Sequence, residues 1–238
     1  MQEAAQAQGR ARRVAFFGGS FDPPHLGHLA VARAAKTALE LDTVLFAPVG
    51  AQPLKAQGAA ASFEDRVAMT RLAIAGEPGF EVSLADAPKA EGEPNYTLET
   101  LDKLRGELGE DCLLYFLMGA DSFLGLRKWH RAAEIPFAAP LIVASRPGQK
   151  SDAMKAALPA GLTIEGKALR EETHGRVKLR RLLLKNAMGD RTVLYMLPGL
   201  DVPISASSIR EAVHDGRVDG TLVTEPVAEY VRGRGLYR

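Results

Sequence analysis

Val14-Ala15-Phe16-Phe17-Gly18-Gly19-Ser20-Phe21-Asp22-Pro23-Pro24-His25-Leu26-Gly27-His28 is the stretch that decides how this chain is read. Four apolar residues run into two glycines, as at the end of a short buried strand. Residues 26–41 are then helix formers with apolar positions at Leu29, Val31, Ala34, Ala35, Ala38 and Leu39, so the spacing predicts a helix. A strand that passes directly into a helix puts the intervening turn at the carboxyl edge of a parallel sheet, where such folds bind ligands. Gly18 and Gly19 let backbone N–H groups approach a ligand closely, and the helix N-terminus favours anions. His25 and His28 bring two more donors to the same spot. No lysine closes the turn as in a GxxxxGK[ST] phosphate loop, and the glycines do not follow GxGxxG. Metal ligation by the histidines would need a third ligand, for which Asp22 is the obvious candidate. Anion binding is the better reading.

Working outward, strands are predicted over residues 44–49, 80–84, 112–118, 141–144 and 193–197. Helices are predicted over 62–75 with Ser62 as cap, 97–108 and 205–213, and a short last helix opens at Thr224-Glu225-Pro226. The strands are continuous apolar runs alternating with helices, the pattern of a sheet covered on both faces. The fold class expected is α/β, a single doubly wound parallel sheet with helices on both faces. Residues 1–12 read as a flexible tail and 13–238 as one domain with a basic insertion at about 149–190. From Arg146 to Arg191 stand eleven of the chain's 30 Lys/Arg and five of its 29 Asp/Glu. This segment is expected to be partly helical over 177–186. It reads either as a solvated basic face or as a phosphate-facing flap or subunit contact, the former being preferred.

The whole chain, 238 residues with 46% hydrophobic and 25% charged residues, is ordinary for a globular protein. A formal net charge of +1 speaks against a nucleic-acid binder. The lone Cys112 excludes an intramolecular disulfide and a cysteine-rich metal site, and is expected to be a small buried hydrophobe. Apolar runs are strand-sized, and the first residues lack the apolar core of a secretory signal, so no membrane partner and a cytoplasmic location are expected. Homo-oligomerisation is left open.

A second pattern lies far down the chain: Ile204-Ser205-Ala206-Ser207-Ser208-Ile209-Arg210, with Ser205 a good helix N-cap and Arg210 able to fork onto phosphate oxygens. The first stretch resembles the G-[ST]-F-x-P-x-H-x-G-H signature of the nucleotidyltransferase superfamily, and the second resembles its I-S-[ST]-x-x-[IL]-R signature. Within that superfamily the chain is similar to the bacterial nicotinate-nucleotide adenylyltransferases over nearly all of residues 14–231. Glu64, Arg66 and Met69 match the family's E-x-R-x-x-M helix. Asn95-Tyr96-Thr97-Leu98-Glu99-Thr100-Leu101, Gly119-Ala120-Asp121 with Trp129-His130, and Ser145-Arg146-Pro147-Gly148 match three further segments in order.

The resemblance implies a Rossmann-like nucleotidyltransferase fold and transfer of AMP from ATP to nicotinate mononucleotide, giving deamido-NAD and pyrophosphate. By it, His25, His28 and Arg210 are the catalytic residues. ATP is held by Gly18, Gly19, Ser20, Phe21, Gly27, Gly119, Asp121, Ile204, Ser205 and Ser207. Lys55, Thr97, Trp129 and Arg146 bind the mononucleotide, Trp129 by stacking, and Mg²⁺ arrives with ATP. Without the resemblance, Trp129 would read as a partly buried core residue and Asp121 as a helix cap. Gln52-Pro53-Leu54-Lys55 departs from the family's P-P-H-[KR], with leucine where histidine is usual. Rival readings are adenylyltransferases for phosphopantetheine, nicotinamide mononucleotide or FMN, a class I aminoacyl-tRNA synthetase, and a nucleotide sensor that has lost catalysis. The synthetase lacks its K-M-S-K-S partner here, and the intact His25, His28, Ser205 and Arg210 argue against the sensor.

Overall fold

A computed structural model describes residues 10–54, 58–145, 151–166, 171–200, 204–217 and 220–238. The first apolar run forms β1 (Arg12–Gly19), starting two residues before the expected boundary because the backbone and side chains of Arg10, Arg12 and Arg13 are tied to Glu40, Asp42 and Thr43. It is followed by α1 (Leu26–Leu39), β2 (Thr43–Pro48), α2 (Phe63–Ala73), β3 (Phe80–Val82), α3 (Thr97–Leu108) and β4 (Cys112–Gly119). Then come α4 (Ala120–Gly125), α5 (Ile135–Ala138), β5 (Leu141–Ala144), α6 (Ser151–Ala156), β6 (Thr163–Glu165), β7 (Glu171–His174), β8 (Val177–Lys185), β9 (Arg191–Leu197), α7 (Ala206–His214) and α8 (Glu225–Arg234). Ser62 caps α2 by accepting a hydrogen bond from the Asp65 N–H at 3.0 Å, as its place in the sequence predicts.

The strand order is β3-β2-β1-β4-β5-β9-β8-β6, with β7 also paired to β8. From β3 to β9 every pairing is parallel. Alternation along the strands covers both faces. Ala15, Phe17, Tyr115 and Leu117 pack with α1, α2, α7 and α8, while Val14, Phe16, Phe116 and Met118 pack with α3, α4, α5 and α6. The chain leaves β1 toward β2 and β3, then crosses back to β4, β5 and β9, so the order of connection reverses between β1 and β4. Loops on either side of that reversal part at the carboxyl edge and leave a crevice there.

Two sequence expectations are corrected. Residues 177–186 are not helical: β8 runs through them, antiparallel to β9 on one side and to β6 and β7 on the other, so the sheet is mostly rather than wholly parallel. Leucine, lysine and arginine are good helix formers, but partners on both edges of β8 override that preference. Leu179 and Leu184, five positions apart, point to opposite faces and are fully buried in the two separate cores. Cations on these strands face carboxylates: Arg180 and Lys178 pair with Glu171, Arg181 with Glu172 and Arg191 with Glu165. Cys112, expected inside, is half-buried at the start of β4, and burial pushes its thiol pKa up. No helix among the described residues is long and apolar enough to cross a membrane.

Because β8 closes both cores at one edge of the sheet, Leu179→Ala and Leu184→Ala should each destabilise the fold by about 2–5 kcal/mol. Denaturant unfolding checks this, and losses below about 1 kcal/mol in both variants would show β8 to be an appendage.

Candidate active site

The carboxyl ends of β1, β4 and β5, the start of α1 and α4, the turn before α3 and the start of α7 enclose one cavity of about 660 Å³. One side of it is built for anions. Gly18, Gly19, Ser20, Phe21, His25, Gly27 and His28 line it from the β1–α1 turn, and Ile204, Ser205 and Arg210 from the start of α7. Gly18 is a glycine for space, since a Cβ there would meet the Phe16 ring at 2.9 Å. Ser205 accepts from the Ser208 N–H at 3.1 Å as the N-cap of α7.

His25 is the N-cap residue of α1, and its N–H donates to His28 Nδ1 at 3.1 Å. A ring nitrogen that accepts carries no proton, so neutral His28 holds its proton on Nε2. The two imidazoles stack with centroids 3.7 Å apart. Burial pushes His25 down to about 4, and burial followed by repulsion from His25 pushes His28 well below the usual histidine range. Both are neutral donors near pH 7. His25 Nδ1 is buried with no hydrogen-bond partner among the described residues.

The turn is held from outside. Asp22 is 4% exposed, and its carboxylate accepts from the N–H groups of Ala60 and Ala61 at 2.7 and 3.1 Å and from Tyr237 Oη at 2.7 Å. Arg210 Nη1 donates to the Asp22 carbonyl at 2.9 Å, and Arg66, buried on the inner side of α2, donates from Nη1 to the Ser20 carbonyl at 2.7 Å.

The other side is aromatic. Trp129 lines it while also packing on the core beside Phe116, with ring centroids 6.1 Å apart. Tyr96 and His130 lie 4.4 Å apart there, and Thr97, Lys128 and Asp86 complete the wall. Tyr96 precedes α3 and gives it no side-chain cap, so first-turn N–H groups of this helix lack an intrahelical partner. Asp86 accepts from Thr100 Oγ1 at 2.8 Å. Burial raises its carboxyl pKa, against the opposing pull of its bonds with Thr100 and Asn95. Gly50 lets this turn close on β2, because a Cβ at Gly50 would meet Pro88 N at 2.4 Å.

The sequence-predicted residues His25, His28, Arg210, Gly18, Gly19, Ser20, Phe21, Gly27, Gly119, Asp121, Ile204, Ser205, Thr97 and Trp129 thus share one cavity. Ser207 lies off its wall, exposed, and accepts from Arg210 Nη2 at 3.3 Å. Lys55 and Arg146 lie outside the described residues. Leu54 lines the cavity and is 58% exposed. Sequence reasoning missed Gln52, which accepts from Ser20 Oγ at 3.2 Å, along with Asp86 and Lys128. Lys128 could have been suspected as the neighbour of Trp129 and Gln52 as the first residue of the Gln52-Pro53-Leu54-Lys55 segment, whereas Asp86 carries no motif.

A cytidylyltransferase-like family profile matches residues 16–212. A protein of Desulfatibacillum aliphaticivorans that carries the name probable nicotinate-nucleotide adenylyltransferase is 33% identical over 227 residues, covering 94% of this chain and 99% of its own. One of Stenotrophomonas maltophilia with the same name is 36% identical over 226 residues, covering 94% and 96%. Among solved structures, Plasmodium falciparum nicotinic acid mononucleotide adenylyltransferase complexed with NaAD superposes with a TM-score of 0.66 at 15% identity, covering 95% of this chain and 97% of that one. A crystal structure from Vibrio parahaemolyticus of a protein given the name putative nicotinate-nucleotide adenylyltransferase gives 0.59 at 19% identity, covering 95% and 96%. These two likenesses concern the fold.

The depressed histidine pKa values set a pH window. The unfolded chain takes up protons near pH 6.5 that native His25 refuses until about 4, so stability is full above 6.5 and falls as pH drops through that interval. In His25→Gln that part of the slope should vanish. Thermal melts between pH 4 and 7 measure it, and parallel curves for the two proteins would show that His25 is not held neutral.

Proposed function

The chain belongs to the cytidylyltransferase-like family, among the nicotinate-nucleotide adenylyltransferases, and from that membership we propose that this cavity joins ATP to nicotinate mononucleotide, giving deamido-NAD and pyrophosphate. The observation that carries the reading is one cavity with two unlike ends, anion donors at the β1–α1 turn and aromatic rings beside Trp129. A triphosphate suits the first and a flat pyridine the second.

The mononucleotide's phosphate attacks the α-phosphorus of ATP, a new P–O bond forms, and the bond to the β-phosphate oxygen breaks as pyrophosphate leaves. A phosphomonoester is largely dianionic near pH 7, its second pKa being about 6, so the nucleophile needs no general base. Positioning and charge neutralisation are then the whole task. His28 Nε2–H and His25 donate to phosphoryl oxygens of ATP. Arg210 and the start of α7 hold the departing pyrophosphate. Gly119 and Asp121 face the nucleoside. Lys55 gathers the acceptor phosphate and Arg146 assists it.

At the aromatic end Trp129 stacks on the pyridine. The carboxylate of nicotinate meets the uncapped start of α3 at Thr97, where N–H groups and the helix dipole favour a negative charge over a neutral amide. Mg²⁺ enters as MgATP. Among the described residues no group of three His, Cys, Asp or Glu could hold a metal, and the Asp22 carboxylate is taken up by Ala60, Ala61 and Tyr237. This donor set suits a cation carried on the triphosphate, supplying positive charge there.

A panel of phosphorylated acceptors with MgATP, scored by pyrophosphate release, tests the assignment. Nicotinate mononucleotide should give the highest kcat/KM, ahead of nicotinamide mononucleotide, phosphopantetheine and FMN. Equal or faster turnover of phosphopantetheine would overturn it.

Trp129 tests the division of the cavity. Trp129→Ala should raise the mononucleotide KM by about tenfold or more, since stacking of about 0.5–1.5 kcal/mol and a wall of the site are both lost, while the KM for ATP should barely move. Trp129→Phe should recover part of the loss. If Trp129→Ala instead melts the protein and Trp129→Phe restores its stability with the mononucleotide KM at the native value, the indole is core packing alone.

A further inference from the structure

The phosphate-side turn is closed by a residue 215 positions away: Tyr237 Oη donates to Asp22 Oδ1 at 2.7 Å. Asp22 Oδ1 also accepts from Ala61 N at 3.1 Å, Oδ2 accepts from Ala60 N at 2.7 Å, and the carbonyl accepts from Arg210 Nη1 at 2.9 Å. Asp22 therefore lines the cavity with its carboxylate bonded to three protein donors, as a hub of the turn. Phe21, next to it, has a φ of 47°, and Tyr237 has a φ of 64°; both are left-handed conformations that bulky residues avoid. Of the four non-glycine residues with positive φ among the described residues, one is thus Tyr237 itself and another is the chain neighbour of its partner Asp22. Such strain persists only where the surroundings over-determine it, and it gathers at functional sites.

We propose that Tyr237 is a positioning residue for adenylyl transfer: its hydroxyl fixes Asp22, and through Asp22 the turn from Ser20 to His28 that presents both histidines to ATP. The inference rests on the adenylyl-transfer reading above. Tyr237 is well suited to the task, because burial and the adjoining Asp22 carboxylate keep its phenol protonated far above the working pH range. A neighbouring bond supplies the control. Tyr230 Oη donates to Asp65 Oδ1 at 2.8 Å, anchoring α8 on α2 with the same chemistry but without touching the turn.

Tyr237→Phe and Tyr230→Phe are compared with the native enzyme at a temperature where all three are folded by circular dichroism. Removing a bond to a charged group that organises the site should lower kcat about tenfold in Tyr237→Phe, leave the mononucleotide KM within twofold, and weaken a non-hydrolysable ATP analogue about tenfold by calorimetry. Tyr230→Phe should stay within twofold on all three, whatever its melting temperature. A native-like kcat and analogue affinity in Tyr237→Phe, or an equal loss in Tyr230→Phe, would overturn the proposal. Should the native protein turn over none of the acceptors, the adenylyl reading falls while the analogue affinities still decide the role of Tyr237.

Discussion

A parallel sheet must be buried on both faces, and that constraint governs the rest of this molecule. Phe16 and Phe17 are consecutive yet belong to different cores, as do Phe116 and Leu117 on β4. With both faces occupied by helices, polar chemistry is excluded everywhere except at the strand ends. The reversal of connection between β1 and β4 then opens the carboxyl edge at one place. Gly18 and Gly19 reach that place from β1 and Gly119 reaches it from β4, so the cavity follows from the order of the strands before any side chain is considered.

What the side chains add is charge management without many charges. Two neutral imidazoles and two helix starts face the end proposed for the triphosphate, and Arg210 is already bonded to the Asp22 carbonyl and Ser207. Fixed N–H dipoles act on a developing negative charge without first being stripped of water. A cluster of lysines would attract the same anion from farther away, but each would have to be desolvated as the site filled. At the aromatic end Lys128 and the buried, pKa-raised Asp86 share the wall with the start of α3.

Most of this was legible in the sequence where the cause is local. The strand-turn-helix at residues 14–28, the Ser62 cap of α2 and the α3 span of residues 97–108 depend on neighbours within a few positions, and all three stand where the pattern puts them. Residues 177–186 misled because Leu182-Leu183-Leu184 hides the two-residue alternation that Leu179 and Leu184 obey in space. The antiparallel partners that settle the matter, β9, β6 and β7, cannot be seen from within the segment. Likewise Arg66 was legible as part of a motif but not as the donor to Ser20, 46 positions away, and nothing local marks Tyr237 as the partner of Asp22.

Arg66 shows why such distant bonds are kept. It is 2% exposed, burial lowers its pKa, and its Nε has no hydrogen-bond partner among the described residues. A guanidinium in that position is a poor contributor to stability: desolvating a cation costs several kcal/mol, and the carbonyl bond, the Phe63 ring and the charges of Asp22 and Glu64 return only part of it, since burial still lowers its pKa on balance. The bond to the Ser20 carbonyl makes sense under the proposed mechanism, in which the protein supplies no acid, base or nucleophile and contributes geometry and hydrogen-bond donors. Effective concentration depends on holding reacting atoms within fractions of an ångström, so a turn that wandered would lose rate while the fold stayed intact. Stability given up at Arg66, and at the strained backbone of Phe21, is returned as a turn that has one arrangement when ATP arrives.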